Sequence, residues 1–126
     1  MLDLIAAAAI APSPAELPPW VYQRARDEAA SVIVINVNSI TGLNGAERGA
    51  CAVNGRVTAV ERGNEYSVGE HVVFSVPCVG ANWQPHPGPW PGFQERPFMG
   101  TERGRVWMSG GAMVLRGFDV LRPGDD

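Results

Sequence analysis

Aromatic side chains carry the most distinctive chemistry in this chain of 126 residues. Trp83, Trp90 and Phe93 sit within VGANWQPHPGPWPGFQERPFMGTERG, Val79 to Gly104, and Trp107 follows just after it. Indole and phenyl faces stack on flat ring ligands, and an indole adds one N–H donor. Pro85, Pro87, Pro89 and Pro91 restrict the backbone around these rings, which lowers the entropy cost of presenting a rigid aromatic surface. The same stiffness serves a plug whose rings are buried to pin the loop onto the domain. As a plug, the segment covers both Trp83 and Trp90. As a platform, it leaves at least one indole exposed. Trp90 is then the best candidate, because it sits at the centre of Pro-Gly-Pro-Trp-Pro-Gly with few apolar neighbours. Trp83, Trp90, Phe93 and Trp107 are the candidate ligand-binding residues.

Other reactive groups are sparse. His71 falls on the outer face of a strand and His86 sits between prolines; neither has a cysteine or histidine at metal-ligand spacing. Both read as solvent-exposed, and neither a metal nor a cofactor is expected. No serine lies in a nucleophile elbow. Glu61, Glu65 and Glu70 cluster at a turn, where a solvated tip explains them better than acid–base chemistry, which needs a pocket to shift a pKa. Glu95-Arg96 and Glu102-Arg103 are ordinary neighbouring charges. The segment Thr41 to Gly49 is rich in glycine and reads as a mobile loop. Its spacing matches neither a Walker loop nor a dinucleotide fingerprint, and no helix pattern follows it. No catalytic residue is assigned.

The stretch CAVNGRVTAVERGNEYSVGEHVVFSVPC, Cys51 to Cys78, organises the rest. Cys51, Val53, Gly55, Val57 and Ala59 alternate with Asn54, Arg56 and Thr58, and Val72, Phe74, Val76 and Cys78 alternate with His71, Val73 and Ser75. Period-two alternation marks half-buried strands, and Gly63-Asn64 marks the turn between them. A hairpin centred between Asn64 and Glu65 sets Val53 against Val76, Gly55 against Phe74 and Val57 against Val72, all on one face. It also sets Cys51 directly against Cys78. Opposed residues lie about 4.5–5.5 Å apart at Cα, inside the disulfide range of roughly 4.4–6.8 Å. The alternative is a pair of reduced cysteines packed as small apolar groups.

Around this hairpin the chain reads in order. Residues 1–15, MLDLIAAAAIAPSPA, resemble the end of a secretory signal peptide, although Asp3 stands where a positive region belongs; an alanine-rich helix is the other reading. The apolar run is too short to span a bilayer. Pro18-Pro19 open a short helix over Trp20–Ala30, with Trp20, Val21, Ala25 and Ala29 on its apolar side, placed to cap one end of a barrel. SVIVINVNSI, residues 31–40, is a strand whose first half is apolar on both faces, hence central and covered. The Val79–Gly104 segment keeps no period and reads as a long ordered loop. Residues 105–109 and 112–121 form a last hairpin around Gly110-Gly111, with a bulge or bend at Gly117.

Length bounds the molecule to one domain, residues 16–126, after the N-terminal apolar segment 1–15. Fifteen glycines and eleven prolines favour short strands and turns over long helices. The net charge of −3 disfavours a general nucleic-acid binder, which needs a basic face. All ten basic residues are arginine, which reads as a coding bias.

Five strands, with a connector between the third and fourth, match the OB-fold, a partly open five-stranded Greek-key barrel. Here a long Pro/Gly/Trp-rich loop replaces the usual connecting helix. ACAVNGRVTAVERGNEYSVGEHVVFSVPC also resembles the netrin-like, tissue-inhibitor-of-metalloproteinases type of OB domain, in which a V-x-G-x-V strand leads through a turn to a second apolar strand. Those inhibitors reach the protease zinc with an N-terminal cysteine. No cysteine precedes Cys51, so their inhibitory mechanism does not carry over. The ending GAMVLRGFDVL is similar to that of small exported bacterial proteins. The expectation is an exported, periplasmic or secreted, non-catalytic module binding a protein or glycan partner. Single-stranded nucleic-acid or oligosaccharide binding by stacking on Trp83, Trp90 and Trp107 is the alternative, and an enzyme with an unrecognised site is a third. Arginines around Arg56 and Arg105 would favour nucleic acid.

Overall fold

A computed structural model of the chain describes residues 17–84 and 90–125. The expectations placed on residues 1–15, on Pro85, Pro87 and Pro89 and on His86 lie outside the described residues. The elements are α1 (Pro19–Asp27), β1 (Ser31–Thr41), β2 (Arg48–Arg62), β3 (His71–Val79), β4 (Phe93–Gln94), α2 (Glu95–Phe98), β5 (Arg103–Ser109) and β6 (Ala112–Val120). The strands form one sheet in the order β4-β3-β2-β1-β5-β6, curled into a half-barrel.

Six strands replace the five expected. The additional one is β4, two residues long and parallel to β3, with Cys78 beside Phe93 and Val79 beside Gln94. A segment this short has no periodicity to detect. The Val79–Gly104 stretch, read as a loop without regular structure, thus contains both β4 and the single turn of α2.

β1 lies at the centre, paired antiparallel to β2 on one side and β5 on the other. Residues Ser31 to Ile35 are all buried, as expected of a strand covered on both faces. Trp107 lies directly across from Val32 on β5. Three register shifts interrupt the β1–β2 ladder. Bulges bend a strand and increase its twist, and these curl the long β2 around the core. That core joins Ile33, Ile35, Val53, Val57 and Val76 to a ring cluster of Phe74, Phe93, Phe98 and Phe118, with centroids between 4.5 and 5.9 Å apart. Phe74 on β3 and Phe118 on β6 meet across the mouth of the half-barrel.

The hairpin register is two residues away from the expected one. Cys51 opposes Val76, Val53 opposes Phe74 and Gly55 opposes Val72, which centres the turn between Gly63 and Asn64. Cys78 opposes Gly49, so the cysteines are diagonal neighbours. Their Cα atoms are nonetheless 5.8 Å apart and their Sγ atoms 2.14 Å apart, at bonding distance. Gly55 does not partner the Phe74 ring. A β-carbon there would lie 2.7 Å from the Asn36 carbonyl oxygen on β1, and this close approach is what requires glycine.

α1 starts at Pro19, where the missing amide costs nothing. Its buried residue is Tyr22, whereas Trp20, expected on the apolar side, is 62% exposed. The guanidinium of Arg62 donates to the carbonyls of Arg26, Asp27 and Ala29, satisfying groups left open at the helix C-terminus. Arg26 forms a two-pronged ion pair with Asp119 on β6 and also donates to the Arg116 carbonyl, docking the helix on the sheet. No helix among the described residues is long and apolar enough to cross a membrane.

Candidate ligand-binding site

The connector from β3 to β5 divides its aromatic residues by type. Phe93 and Phe98 turn inward. Phe98 is 3% exposed, and Phe93 stacks on it at 4.5 Å while meeting Phe118 edge-on at 5.8 Å. These two rings pin the connector to the half-barrel. Trp83 and Trp90 are half-buried and face a cavity of about 470 Å³. Its walls come from the end of β3 (Val79, Gly80), from Pro91 and Gly92, and from Gln94 to Pro97 of β4 and α2.

Several local features hold this wall. Cys78, joined to Cys51 on β2, pairs with Phe93 and so fixes where β4 lands. Gly92 has φ 121°, and a β-carbon on it would stand 2.3 Å from the Pro77 carbonyl carbon. Only glycine fits that approach and that backbone conformation. Glu95, in the first turn of α2, accepts a hydrogen bond from the Leu43 amide, tying the cavity wall to the β1–β2 turn. That turn is built on Asn44 (φ 55°) and Gly45 (φ 91°), within the segment read as a mobile glycine loop.

Trp90 is braced from two sides. Phe93 meets it edge-on at 5.1 Å, and the Arg116 guanidinium lies over its ring at 5.1 Å. That guanidinium also lies 4.3 Å from the Tyr22 ring, which links the indole to α1. Arg116 has φ 52°, in the left-handed region, where β6 bulges away from β5 between Met113 and Phe118. The bend expected at Gly117 is this bulge. Neither Arg116 nor Tyr22 was legible as part of the site; the bulge signal at Gly117 was the one hint in the sequence. Glu95 and Arg96, read as ordinary neighbouring charges, also line the cavity, together with Gln94.

Of the four aromatic candidates, the structure brings Trp83 and Trp90 together on one cavity and places Phe93 behind Trp90. Trp107 stands apart on β5, its ring covered by the Arg26 guanidinium at 4.0 Å. The basic strand patch that would have favoured nucleic acid is spent internally. Arg105 pairs with Glu61, and Arg56 donates to the Gly69 carbonyl. The hydrogen bond from Arg105 is the chief reason that the Glu61 pKa lies below the ordinary carboxylate value, against a smaller opposing effect of burial. Tyr66, half-buried near Glu65 and Glu70, has its hydroxyl pKa raised, first by burial and then by those two charges. Glu65 accepts from the Ser31 hydroxyl, so the acidic turn is not simply a solvated tip. His71 is exposed and shares a hydrogen bond with Asn54. Among the described residues no group of three His, Cys, Asp or Glu side chains is disposed to hold a metal.

Comparison of the chain with protein-family models, with curated proteins and with solved structures finds no match to any of them.

Proposed function

We propose that this chain is an exported, non-catalytic binding module whose ligand occupies the Trp83–Trp90 cavity and stacks a flat ring face on an indole. One observation carries this reading: a preformed concavity of about 470 Å³ holding two half-exposed indoles beside the polar side chains of Gln94 and Arg96. Ligand sites are typically mostly apolar clefts of about 300–1,000 Å³ with a few convergent polar groups. The division of labour in the connector supports the same reading. Phe93 and Phe98 pack on the core, whereas Trp83 and Trp90 line the cavity. The Cys51–Cys78 pair suits an oxidising compartment. If β4 is set aside, five strands remain in an open, curled sheet, which supports the OB-type relation.

Intrinsic fluorescence decides between ligands. Titration with oligosaccharides should quench or shift the tryptophan emission, and Trp90→Ala should abolish that response while circular dichroism stays native. Tighter binding of single-stranded oligonucleotides than of any oligosaccharide would favour the nucleic-acid alternative. A response that survives in both Trp83→Ala and Trp90→Ala would place the site elsewhere.

A further inference from the structure

A second cavity, of about 390 Å³, lies on the far side of the same wall, lined by Phe93, Phe98, Thr101, Val120 and Arg122. Gln94 and Pro97 line both cavities and form the ridge between them. Each space is large enough for a ring-sized group, and a ligand crossing the ridge would occupy both. Each side also carries an arginine, Arg96 on the first cavity and Arg122 on the second. Other arginines are committed to the fold: Arg26 to Asp119, Arg105 to Glu61, Arg62 to the end of α1 and Arg56 to Gly69. Among the described residues, neither Arg96 nor Arg122 has a carboxylate at ion-pair distance. Glu95, beside Arg96, is engaged by the Leu43 amide, and Asp125, three residues after Arg122, accepts from the Arg122 backbone amide.

We propose that the two cavities are consecutive subsites of one groove for an acidic oligosaccharide, with sugar rings on either side of the Gln94–Pro97 ridge and carboxylates meeting Arg96 and Arg122. This rests on the Trp83–Trp90 reading and extends it to ligand length and charge. A guanidinium matches a carboxylate with two parallel hydrogen bonds. Two arginines set apart by a ridge suit a polymer with sparse, regularly spaced charge. A nucleic acid bears a phosphate at every residue and is tracked by a continuous basic groove, which the net charge of −3 does not supply.

The test is calorimetric and fluorimetric titration of the full chain with glucuronic acid monomer, with tetramer and hexamer of an alternating glucuronic acid–N-acetylglucosamine polymer (a carboxylate on every second ring), with neutral cello-hexaose and with a thymidine oligonucleotide of similar length. Filling a second subsite on the same molecule should raise affinity by about tenfold or more from monomer to hexamer. Arg122→Gln should remove most of that gain, and Arg96→Gln should weaken all acidic ligands. Arg24→Gln, which removes one exposed positive charge of α1 that lines neither cavity, should change nothing. Equal affinity for monomer and hexamer, or a hexamer affinity insensitive to Arg122→Gln, overturns the two-subsite groove. Tighter binding of cello-hexaose or of the oligonucleotide than of the acidic hexamer overturns the ligand class. In each of those cases an emission response lost in Trp90→Ala leaves the first cavity standing. No binding by any probe overturns the groove and removes support from the first cavity as well.

Discussion

At position 55 a β-carbon would press on the Asn36 carbonyl oxygen at 2.7 Å and on Cδ1 of Ile35 at 3.1 Å. Backbone of the central strand cannot move aside as a side chain can, so Gly55→Val should destabilise by about 1–3 kcal/mol or more, as overpacking does. Gly55→Val combined with Phe74→Ala separates the causes. If the crowding came from the Phe74 ring, the double variant would recover stability; with the Asn36 carbonyl as the cause, the two losses add. Phe74→Ala alone removes a 5%-exposed ring from the phenylalanine cluster and should cost about 3–5 kcal/mol in chemical denaturation. Glu61 offers a pH test. Its pKa in the folded protein lies below the ordinary 4.5, chiefly through the hydrogen bond from Arg105. A depressed carboxylate contributes stability that is complete above the unfolded value and is lost as pH falls through the folded value. The pair is partly exposed, so the contribution is about 0.2–1 kcal/mol. Wild type should therefore exceed Glu61→Gln slightly in melting temperature at pH 7, and the gap should close below pH 4.5. A gap that widens on acidification would contradict the pairing.

Among the elements, the β2–β3 hairpin shows how far pattern reading reaches. Alternation assigned the inward faces of both strands, and Val53, Val57, Val72, Phe74 and Val76 are all buried. A slip of two residues leaves every side chain on its own face, so alternation cannot distinguish the expected register from the observed one. Only the turn decides, and eight residues separate Arg62 from His71, too many for Gly63-Asn64 alone to set it. The cysteine pair survives the slip because the diagonal Cα separation is only 5.8 Å. Denatured, unreduced protein from an oxidising compartment should show no free thiol. Removing the bond, which joins residues 27 apart, should cost roughly 3–4 kcal/mol in the chain-entropy picture. β4 and α2 carried no such signal. One is a two-residue strand and the other a single turn, and both owe their place to packing of Phe93 and Phe98. Gly92→Ala tests that dependence, because the added methyl meets the Pro77 carbonyl and φ 121° is unfavourable for alanine. It should loosen β4, expose Trp90 and shift its emission to the red while the melting temperature falls only moderately.

For the whole molecule, glycine and proline content and strand patterning foretold a mainly β chain with an N-terminal helix, and the half-barrel has that character. The candidate cavity was legible in part. Trp83 and Trp90 stood out because the tryptophans are few and lie in a proline-stiffened segment. Their bracing by Arg116 and Tyr22 did not, because it joins residues from opposite ends of the chain across a bulge. The central claim is that Trp90 is an accessible ring at a preformed ligand cavity. Trp20, 62% exposed on α1, would dominate any bulk quenching signal, so the measurement needs a protein that retains Trp90 alone, with Trp20, Trp83 and Trp107 replaced by phenylalanine. Acrylamide quenching of that variant, without and with saturating acidic hexasaccharide, tests the claim most directly. Intermediate quenching in the free protein that falls on addition of the oligosaccharide is the predicted result. An indole as protected as a core residue before any ligand is added, or one equally quenched with and without it, would contradict it.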